Sequence, residues 1–170
     1  RGTLKKATGV IPARYQSRRF PGKPLALIKG KPMIERVYDS ARRAKYLDRL
    51  IIATDDERIG EIARNFGAEV RMTSSGHRSG TDRVAEVARE IKASIVINIQ
   101  GDEPLLRGEM IDELVVALQD KDVAMATLAS RVNDLSLLQD NNRVKVVADR
   151  NGTALYFSRS PLPFQASDYF

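Results

Sequence analysis

The chain has 170 residues, of which 42% are hydrophobic and 29% charged, with a formal net charge of +6 and no cysteine. That length and apolar content suit one sizeable core, so we expect a single domain over residues 1–170, and the lack of cysteine excludes a disulfide framework or a cysteine-ligated metal. No apolar run approaches the roughly 18 residues that a membrane-spanning helix requires, so we expect a cytoplasmic protein with no membrane insertion.

The positive charge is concentrated at the start of the chain. Residues 1–34 contain nine of the 28 basic residues and none of the 22 acidic ones, which leaves a net charge of −3 for the remainder. A general nucleic-acid surface would distribute its basic residues more widely. We therefore expect no nucleic-acid partner.

The first predicted strand, residues 8–11, runs into a loop over residues 11–23 that has four basic side chains and no acid. Proline stiffens this loop and glycine permits close approach of a ligand. Arginine binds phosphate oxygens at two points and lysine acts as a compact charge. We therefore expect Arg14, Arg19 and Lys23 to bind the phosphates of a nucleoside triphosphate. The loop matches neither the Walker pattern nor the dinucleotide fingerprint. The alternative is a solvated basic loop without a ligand.

Helical and strand-like segments alternate after this loop. Apolar residues at helical spacing predict helices over residues 33–41, 59–66, 84–91 and 110–118. Short β-branched runs at residues 50–53 and 95–99 are typical of strands buried on both faces of a parallel sheet. With a strand before each helix and one after the last, the pattern predicts an α/β three-layer sandwich built on a mostly parallel, doubly wound, Rossmann-like sheet.

The last part of the chain has a different pattern. Residues 123–132 resemble a strand, and residues 143–148 and 154–159 predict a hairpin that turns at residues 149–152. This antiparallel part is either a sheet edge or a dimer contact. We interpret Met33, Met110 and Met125 as core residues.

Polar segments follow the strands at residues 12–23, 54–56 and 100–104. Ligands of open α/β sheets bind outside the carboxyl ends of the strands, so one crevice can gather basic side chains and carboxylates. Asp102 follows a hydrophobic strand and is our candidate magnesium ligand, because Mg²⁺ takes one or two carboxylates and completes its shell with phosphate oxygens and water. The alternative is an acid that caps a turn or helix.

Two further segments are weaker candidates. Residues 73–82 are rich in small residues that let backbone groups approach a ligand, and Ser79 or Thr81 can cap the helix that follows. His77, the only histidine, is expected to face solvent. Residues 54–56 are most simply a strand end and the N-cap of the next helix.

A series of motifs, in the same order along the chain, resembles the 3-deoxy-manno-octulosonate cytidylyltransferase family, or CMP-KDO synthetases. The motifs lie at residues 11–15, 19–25, 30–34, 53–55, 77–83, 100–104, 125–128, 145–147 and 154–159. The basic loop is shared with CMP-sialic acid synthetases. The segments Gln-Gly-Asp-Glu-Pro and Ala-Leu-Tyr-Phe-Ser-Arg are more specific to KDO enzymes.

This resemblance implies a nucleotidyltransferase that uses Mg²⁺ to transfer CMP from CTP to the anomeric hydroxyl of KDO, for lipopolysaccharide biosynthesis. Arg14, Arg19 and Lys23 would hold the triphosphate and stabilise the charge on the departing pyrophosphate, and Asp102 would bind the metal. The catalytic residues would be Arg19, Lys23 and Asp102. The nucleotide and sugar pocket would be lined by Ala13, Ser79, Gly80, Arg83 and Gln100.

Members of this family continue beyond the position that matches Phe170, through a sugar-binding segment and a second metal carboxylate. We therefore expect a C-terminally truncated chain whose own activity is open. The alternatives are a cytidylyltransferase for another acidic sugar, such as a sialic acid or an amino-KDO, and a non-catalytic CTP-binding or dimerisation fragment. The resemblance also predicts a two-fold homodimer with contacts from residues 143–159.

Overall fold

The computed structural model describes residues 4–16, 20–134 and 136–162. These residues fall into two compact units, one ending at Ala126 and the other beginning at Thr127. The expectation of a single domain over all 170 residues stays a prediction. Within the described ranges, no helix has the length and apolar character needed to cross a membrane.

The first unit is built on four parallel strands in the order β5, β4, β1, β6. Its strands are β1 (Ala7–Ala13), β2 (Leu27–Ile28), β3 (Lys31–Pro32), β4 (Leu47–Thr54), β5 (Glu69–Met72) and β6 (Val96–Asn98). The short strands β2 and β3 form a separate antiparallel hairpin. Its helices are α1 (Met33–Ala41), α2 (Glu57–Asn65), α3 (Gly80–Ile91) and α4 (Gly108–Ala117).

Neighbouring residues of the central strands point into two different cores. Val10 and Ile51 pack with Val87 of α3 on one face of the sheet. Ile11 and Ile52 pack on the other face with buried residues of α1, α2 and α4. Because successive side chains of a strand alternate in direction, a strand buried on both faces needs apolar residues at consecutive positions. The predicted three-layer sandwich with helices on both faces is confirmed.

The helix boundaries follow from local sequence signals. α1 begins directly after Pro32, whose fixed φ suits a helix start. α2 ends at Asn65, and Gly67 follows with a φ of +86°, a conformation that costs glycine little. α3 begins after Ser79, which caps it. The start of α1 and the end of α2 lie within one residue of the predicted positions. α3 begins four residues before the predicted residue 84, because the capping serine and not the first apolar residue marks its start.

The second unit contains α5 (Ser136–Gln139) and a two-stranded antiparallel sheet of β7 (Lys145–Ala148) and β8 (Ala154–Ser158). The predicted hairpin is confirmed. Lys145, the first residue of β7, is buried. Its ammonium group donates to the carbonyl oxygens of Asp140, Arg143 and Arg159 at 2.9, 2.9 and 2.5 Å. Three acceptors satisfy the three N–H donors of the buried charge.

The predicted strand at residues 123–132 is wrong. These residues form no regular secondary structure, and Met125, which we placed in the core, has 88% of its surface exposed. Alternation of apolar residues makes a stable strand only when a neighbouring strand supplies hydrogen-bond partners. Among the described residues, the parallel sheet ends at β6, and no strand pairs with this segment.

Candidate functional site

The carboxyl end of β1 is where three polar segments of the first unit meet. A Cβ atom placed at Gly80, the first residue of α3, would lie 3.2 Å from the Pro12 ring. A Cβ atom at Gly101, after β6, would lie 2.9 Å from the Pro12 carbonyl oxygen. Real Cβ atoms do not approach backbone oxygen so closely, so glycine at position 101 lets this loop pack directly on β1.

The basic loop closes on itself between Tyr15 and Gly22. The Gly22 N–H donates to the Tyr15 carbonyl oxygen at 2.8 Å, and a Cβ atom at Gly22 would lie 3.1 Å from the Tyr15 ring. Gly22 has a φ of +72°, which side chains rarely adopt. Glycine at position 22 therefore allows both the turn and the close approach of the Tyr15 ring. Lys23 follows as the first residue of a short 3₁₀ helix.

Lys23 and Asp102 join the basic loop to the segment after β6. The Lys23 Nζ lies 2.6 Å from the Asp102 Oδ2, across 79 positions of the chain. Their side chains are 36% and 51% exposed, so both remain accessible to a ligand. The residues predicted to hold phosphate and metal are therefore neighbours in space. This contact could not be read from the sequence, which gives no distance between the two loops.

Asp102 suits the magnesium ion that the sequence resemblance implies. Its carboxylate is exposed, and the described residues contain no group of three acidic or histidine side chains that would form a complete protein cage. Mg²⁺ commonly binds through one or two carboxylates and takes its other ligands from substrate phosphates and water. A single accessible carboxylate beside a lysine fits an ion that arrives with a triphosphate.

A cleft of about 1070 Å³ opens beside the basic loop. Its described lining includes Arg14, Asp55, Arg58, His77 and Arg83. The three arginines of this lining outnumber its two aspartates, Asp55 and Asp56, and the small excess of positive charge suits an anionic ligand.

Arg83 is the most deeply buried charged group of this cleft. Its side chain is only 4% exposed and forms an ion pair with Asp55, with 3.1 Å between Nη2 and Oδ1. Its Nη1 also donates to the Thr73 hydroxyl and, at 3.4 Å, to the Ser74 carbonyl oxygen. A buried guanidinium needs such partners. Arg83 thus connects α3 to the segments that follow β4 and β5, and much of its donor capacity is used within the protein.

The segment before α3 is held by hydrogen bonds to that helix. The Ser79 hydroxyl accepts from the Asp82 N–H at 3.1 Å while the Asp82 carboxylate accepts from the Ser79 N–H, which is a capping box. Glu86 accepts from the Ser74 N–H at 3.2 Å and pairs with His77. The expectation that His77 faces solvent is wrong: its side chain is 18% exposed, because Glu86, one turn after Asp82, reaches back to it. The hydrogen bond with His77 lowers the pKa of Glu86.

The segment after β4 provides a cap, as predicted. Asp56 is the N-cap of α2 and accepts from the Arg58 N–H at 3.0 Å. The same carboxylate binds the Arg58 guanidinium at two points, 2.9 and 2.6 Å. These bonds lower the pKa of Asp56. The Arg58 guanidinium also lies 3.4 Å from the centre of the Tyr15 ring. The sequence did not predict a role for Arg58, because Tyr15 lies 43 positions away and no motif links the two residues.

The remaining predicted residues lie around the same strand ends. Ala13 is buried at the end of β1, and Arg14 follows it, exposed, at the cleft. Gln100 is exposed after β6, and its amide donates to the Asn98 Oδ1 at 3.3 Å. Arg19 lies outside the described residues. The nucleotide-binding and catalytic roles of all these residues stay predictions.

Comparison with known proteins agrees with the motifs. The model of the cytidylyltransferase family matches residues 8–169. A protein named 3-deoxy-manno-octulosonate cytidylyltransferase from Geobacter metallireducens is 55% identical over 159 residues, which covers 93% of this chain and 63% of the relative. The protein of that name from Pelobacter propionicus is 56% identical over 158 residues, with 92% and 62% covered. This chain thus spans about 63% of the length of such relatives.

One solved structure is similar over nearly the whole chain. It is that of CMP:2-keto-3-deoxy-manno-octonic acid synthetase complexed with CTP, which is 39% identical, with a TM-score of 0.85 over 96% of this chain and 68% of that one. Identity and fold together confirm the resemblance found in the motifs.

Proposed function

Because the chain belongs to the cytidylyltransferase family, we propose that it transfers CMP from CTP to the anomeric hydroxyl of 3-deoxy-D-manno-octulosonate, giving CMP-KDO and pyrophosphate. The observation that carries this proposal is the contact between Lys23 and Asp102. It puts a phosphate-binding cation beside a carboxylate able to hold a metal, at the carboxyl end of a parallel sheet. Phosphoryl and nucleotidyl transfer depend mainly on such positioning and charge neutralisation.

In this proposal the basic loop binds the triphosphate. Arg14 contacts it from the edge of the cleft and Lys23 from the turn at Gly22, and Arg19, outside the described residues, contributes a further charge. The anomeric oxygen of the sugar attacks the α-phosphorus and its proton passes to solvent water. The bond from that phosphorus to the oxygen that bridges the α- and β-phosphates breaks, and this oxygen leaves with its electron pair as part of pyrophosphate. Lys23 then stabilises the charge that accumulates on the departing pyrophosphate.

Asp102 would hold Mg²⁺ together with phosphate oxygens. The ion would supply charge neutralisation on the transferring phosphate when bound. The Asp102 carboxylate is paired with Lys23, which keeps both groups at the place where the proposal needs phosphate and metal.

The pocket for cytidine and sugar would be formed by the ends of β1 and β6 and the start of α3. Ala13, Ser79, Gly80 and Gln100 line it, with Gly80 allowing close approach at the helix start. Arg83 forms its wall and fixes the segment after β5. The N–H groups at a helix start point outward and suit an acidic ligand.

The choice of KDO is supported by relatives of that name at 55% and 56% identity. A second acidic sugar, a sialic acid or an amino-KDO, is the alternative, because the basic loop motif is common to both groups of synthetases. The product would serve lipopolysaccharide biosynthesis in the cytoplasm.

A two-fold homodimer belongs to the same proposal. The hairpin of β7 and β8 exposes the large apolar side chains Val144, Val147, Leu155, Tyr156 and Phe157. Because successive side chains of a strand alternate in direction, Leu155 and Phe157 lie on the same face of β8. A two-fold axis would let this apolar face of two subunits cover each other.

The test is pyrophosphate release by the full-length protein in the presence of CTP, Mg²⁺ and KDO. We expect release that requires both CTP and KDO, and competition experiments in which KDO is used in preference to a sialic acid. Preferred use of the sialic acid would favour the alternative substrate. Absence of release with either sugar would refute the proposed activity.

A further inference from the structure

The basic loop is tied to the start of α2 through an aromatic stack. The Arg58 Cζ lies 3.4 Å from the centre of the Tyr15 ring. A guanidinium at this distance over an aromatic face is attracted by the electrons of the ring and also excludes water from it. Neither residue belongs to the phosphate or metal ligands assigned above.

The guanidinium of Arg58 is held from behind by Asp56. Two hydrogen bonds of 2.9 and 2.6 Å run from Nε and Nη2 to the two carboxylate oxygens, and Asp56 also caps the helix through the Arg58 N–H. Two-point pairing fixes the plane of an arginine side chain. The helix itself rests on the core through Ile59 and Ala63, which are fully buried. Arg58 therefore presents a fixed plane to Tyr15.

Tyr15 stabilises the turn at Gly22, which directly precedes Lys23. Its carbonyl oxygen accepts the Gly22 N–H at 2.8 Å, and its ring lies 3.1 Å from where a Cβ of Gly22 would be. The next residue is Lys23, whose ammonium lies 2.6 Å from Asp102. A continuous series of contacts thus runs from Asp56 through Arg58 and Tyr15 to the two charges of the site.

We propose that Arg58 is a positioning residue that, through Tyr15, holds the turn at Gly22 and so keeps Lys23 in its ligand-binding position. This inference rests on the function proposed above. It means that Arg58 sets the affinity of the turn that carries Lys23 for a nucleoside triphosphate without contacting the triphosphate. The pairing with Asp56 supports an indirect role, because the two bonded N–H groups of Arg58 point to a carboxylate.

The first test is amide hydrogen exchange without ligand. Arg58→Ala should speed exchange of the Gly22 N–H about two- to fivefold, the ratio that corresponds to loss of an exposed cation–π contact. Arg64→Ala is the control, because Arg64 lies on the same helix and its ion pair, with Glu57, is exposed. If the Gly22 N–H of Arg58→Ala exchanges at the same rate as in the wild type, the proposal is wrong.

The second test is calorimetric titration with CTP and Mg²⁺ in four proteins: wild type, Arg58→Ala, Tyr15→Leu and the double variant. We expect Arg58→Ala to weaken binding about two- to fivefold, and to have no further effect once Tyr15 is replaced. An equal loss in the Tyr15→Leu background would mean that Arg58 contacts the ligand itself, and the positioning role would be wrong. If the wild type does not bind CTP, the proposed function fails, while exchange at Gly22 still decides the role of Arg58.

Discussion

Lys23 and Asp102 are the two residues in which the charge pattern of the sequence and the geometry of the fold coincide. The basic, acid-free start of the chain predicted the cation, and the acid after a hydrophobic strand predicted the metal ligand. The distance of 2.6 Å between Lys23 Nζ and Asp102 Oδ2 adds that the two side chains form an ion pair. The sequence did not predict Arg58, the burial of Arg83 or the pairing of His77, because these depend on contacts between distant segments.

Substitutions at this pair should separate phosphate binding from metal binding. Lys23→Ala should weaken CTP binding roughly tenfold to a hundredfold, since it removes a charge-assisted contact. Asp102→Asn keeps the shape but is a poor Mg²⁺ ligand, so turnover should fall more than about a hundredfold while CTP binding without metal survives. Lys121→Ala, at an exposed position, is the control for both titrations and turnover.

Near-normal turnover of Asp102→Asn at limiting Mg²⁺ would contradict the metal assignment. The turn-capping interpretation of residues 100–104 would then replace it.

The free energy of unfolding should depend on pH through the ionisation of Asp56. The hydrogen bond from Arg58 lowers the pKa of Asp56 below its ordinary value of 3.8. A lowered pKa in the folded state means that the ionised form contributes stability above pH 3.8, and that this contribution is lost as the pH falls through the lowered pKa. Arg58 is largely exposed, so solvent limits the contribution to about 1 kcal/mol or less.

Urea unfolding of the wild type and Asp56→Asn checks this dependence. Asparagine still caps a helix, so the variant removes mainly the charge. The wild type should be the more stable protein near neutral pH, and the difference in the free energy of unfolding should shrink as the pH falls below about 4. A difference that stays constant with pH would show that the ion pair contributes nothing.

At the scale of elements, the site depends on how closely two segments pack on the end of β1. The helices and the buried strands could be predicted because capping residues and apolar periodicity are local signals. The failed strand at residues 123–132 shows the limit of that reasoning: a strand also needs a partner, and pairing is not encoded in the segment itself. The buried Lys145 is a similar case, since its three carbonyl partners come from the hairpin and the preceding loop.

Gly101 tests the packing of the loop that carries Asp102. Gly101→Ala would put a methyl group 2.9 Å from the Pro12 carbonyl oxygen, so the loop must shift. We expect a loss of about 1–3 kcal/mol in the free energy of unfolding and a reduced turnover. Gly76→Ala is the matched control, because its new methyl group would meet only the Ser74 side chain, at 3.4 Å. Equal behaviour of the two variants in thermal unfolding and turnover would show that the close approach is unimportant.

At the scale of the whole molecule, the proposed homodimer depends on the exposed apolar side of the hairpin. Light scattering should give the mass of two chains at micromolar concentration, and Leu155→Glu should shift the protein to the mass of one chain, because a charge cannot be buried at an apolar interface without a partner. Arg150→Ala, at the exposed turn of the same hairpin, should leave the dimer intact. A monomer mass that does not change with concentration would reject the dimer.

The central claim is that CMP becomes bonded to KDO, and phosphorus NMR observes that bond directly. With full-length protein, CTP, Mg²⁺ and KDO, the account predicts that the three CTP signals are replaced by one phosphodiester signal of a sugar nucleotide and one of pyrophosphate, in equimolar amounts. An unchanged CTP spectrum, from a folded protein that binds CTP, would contradict it.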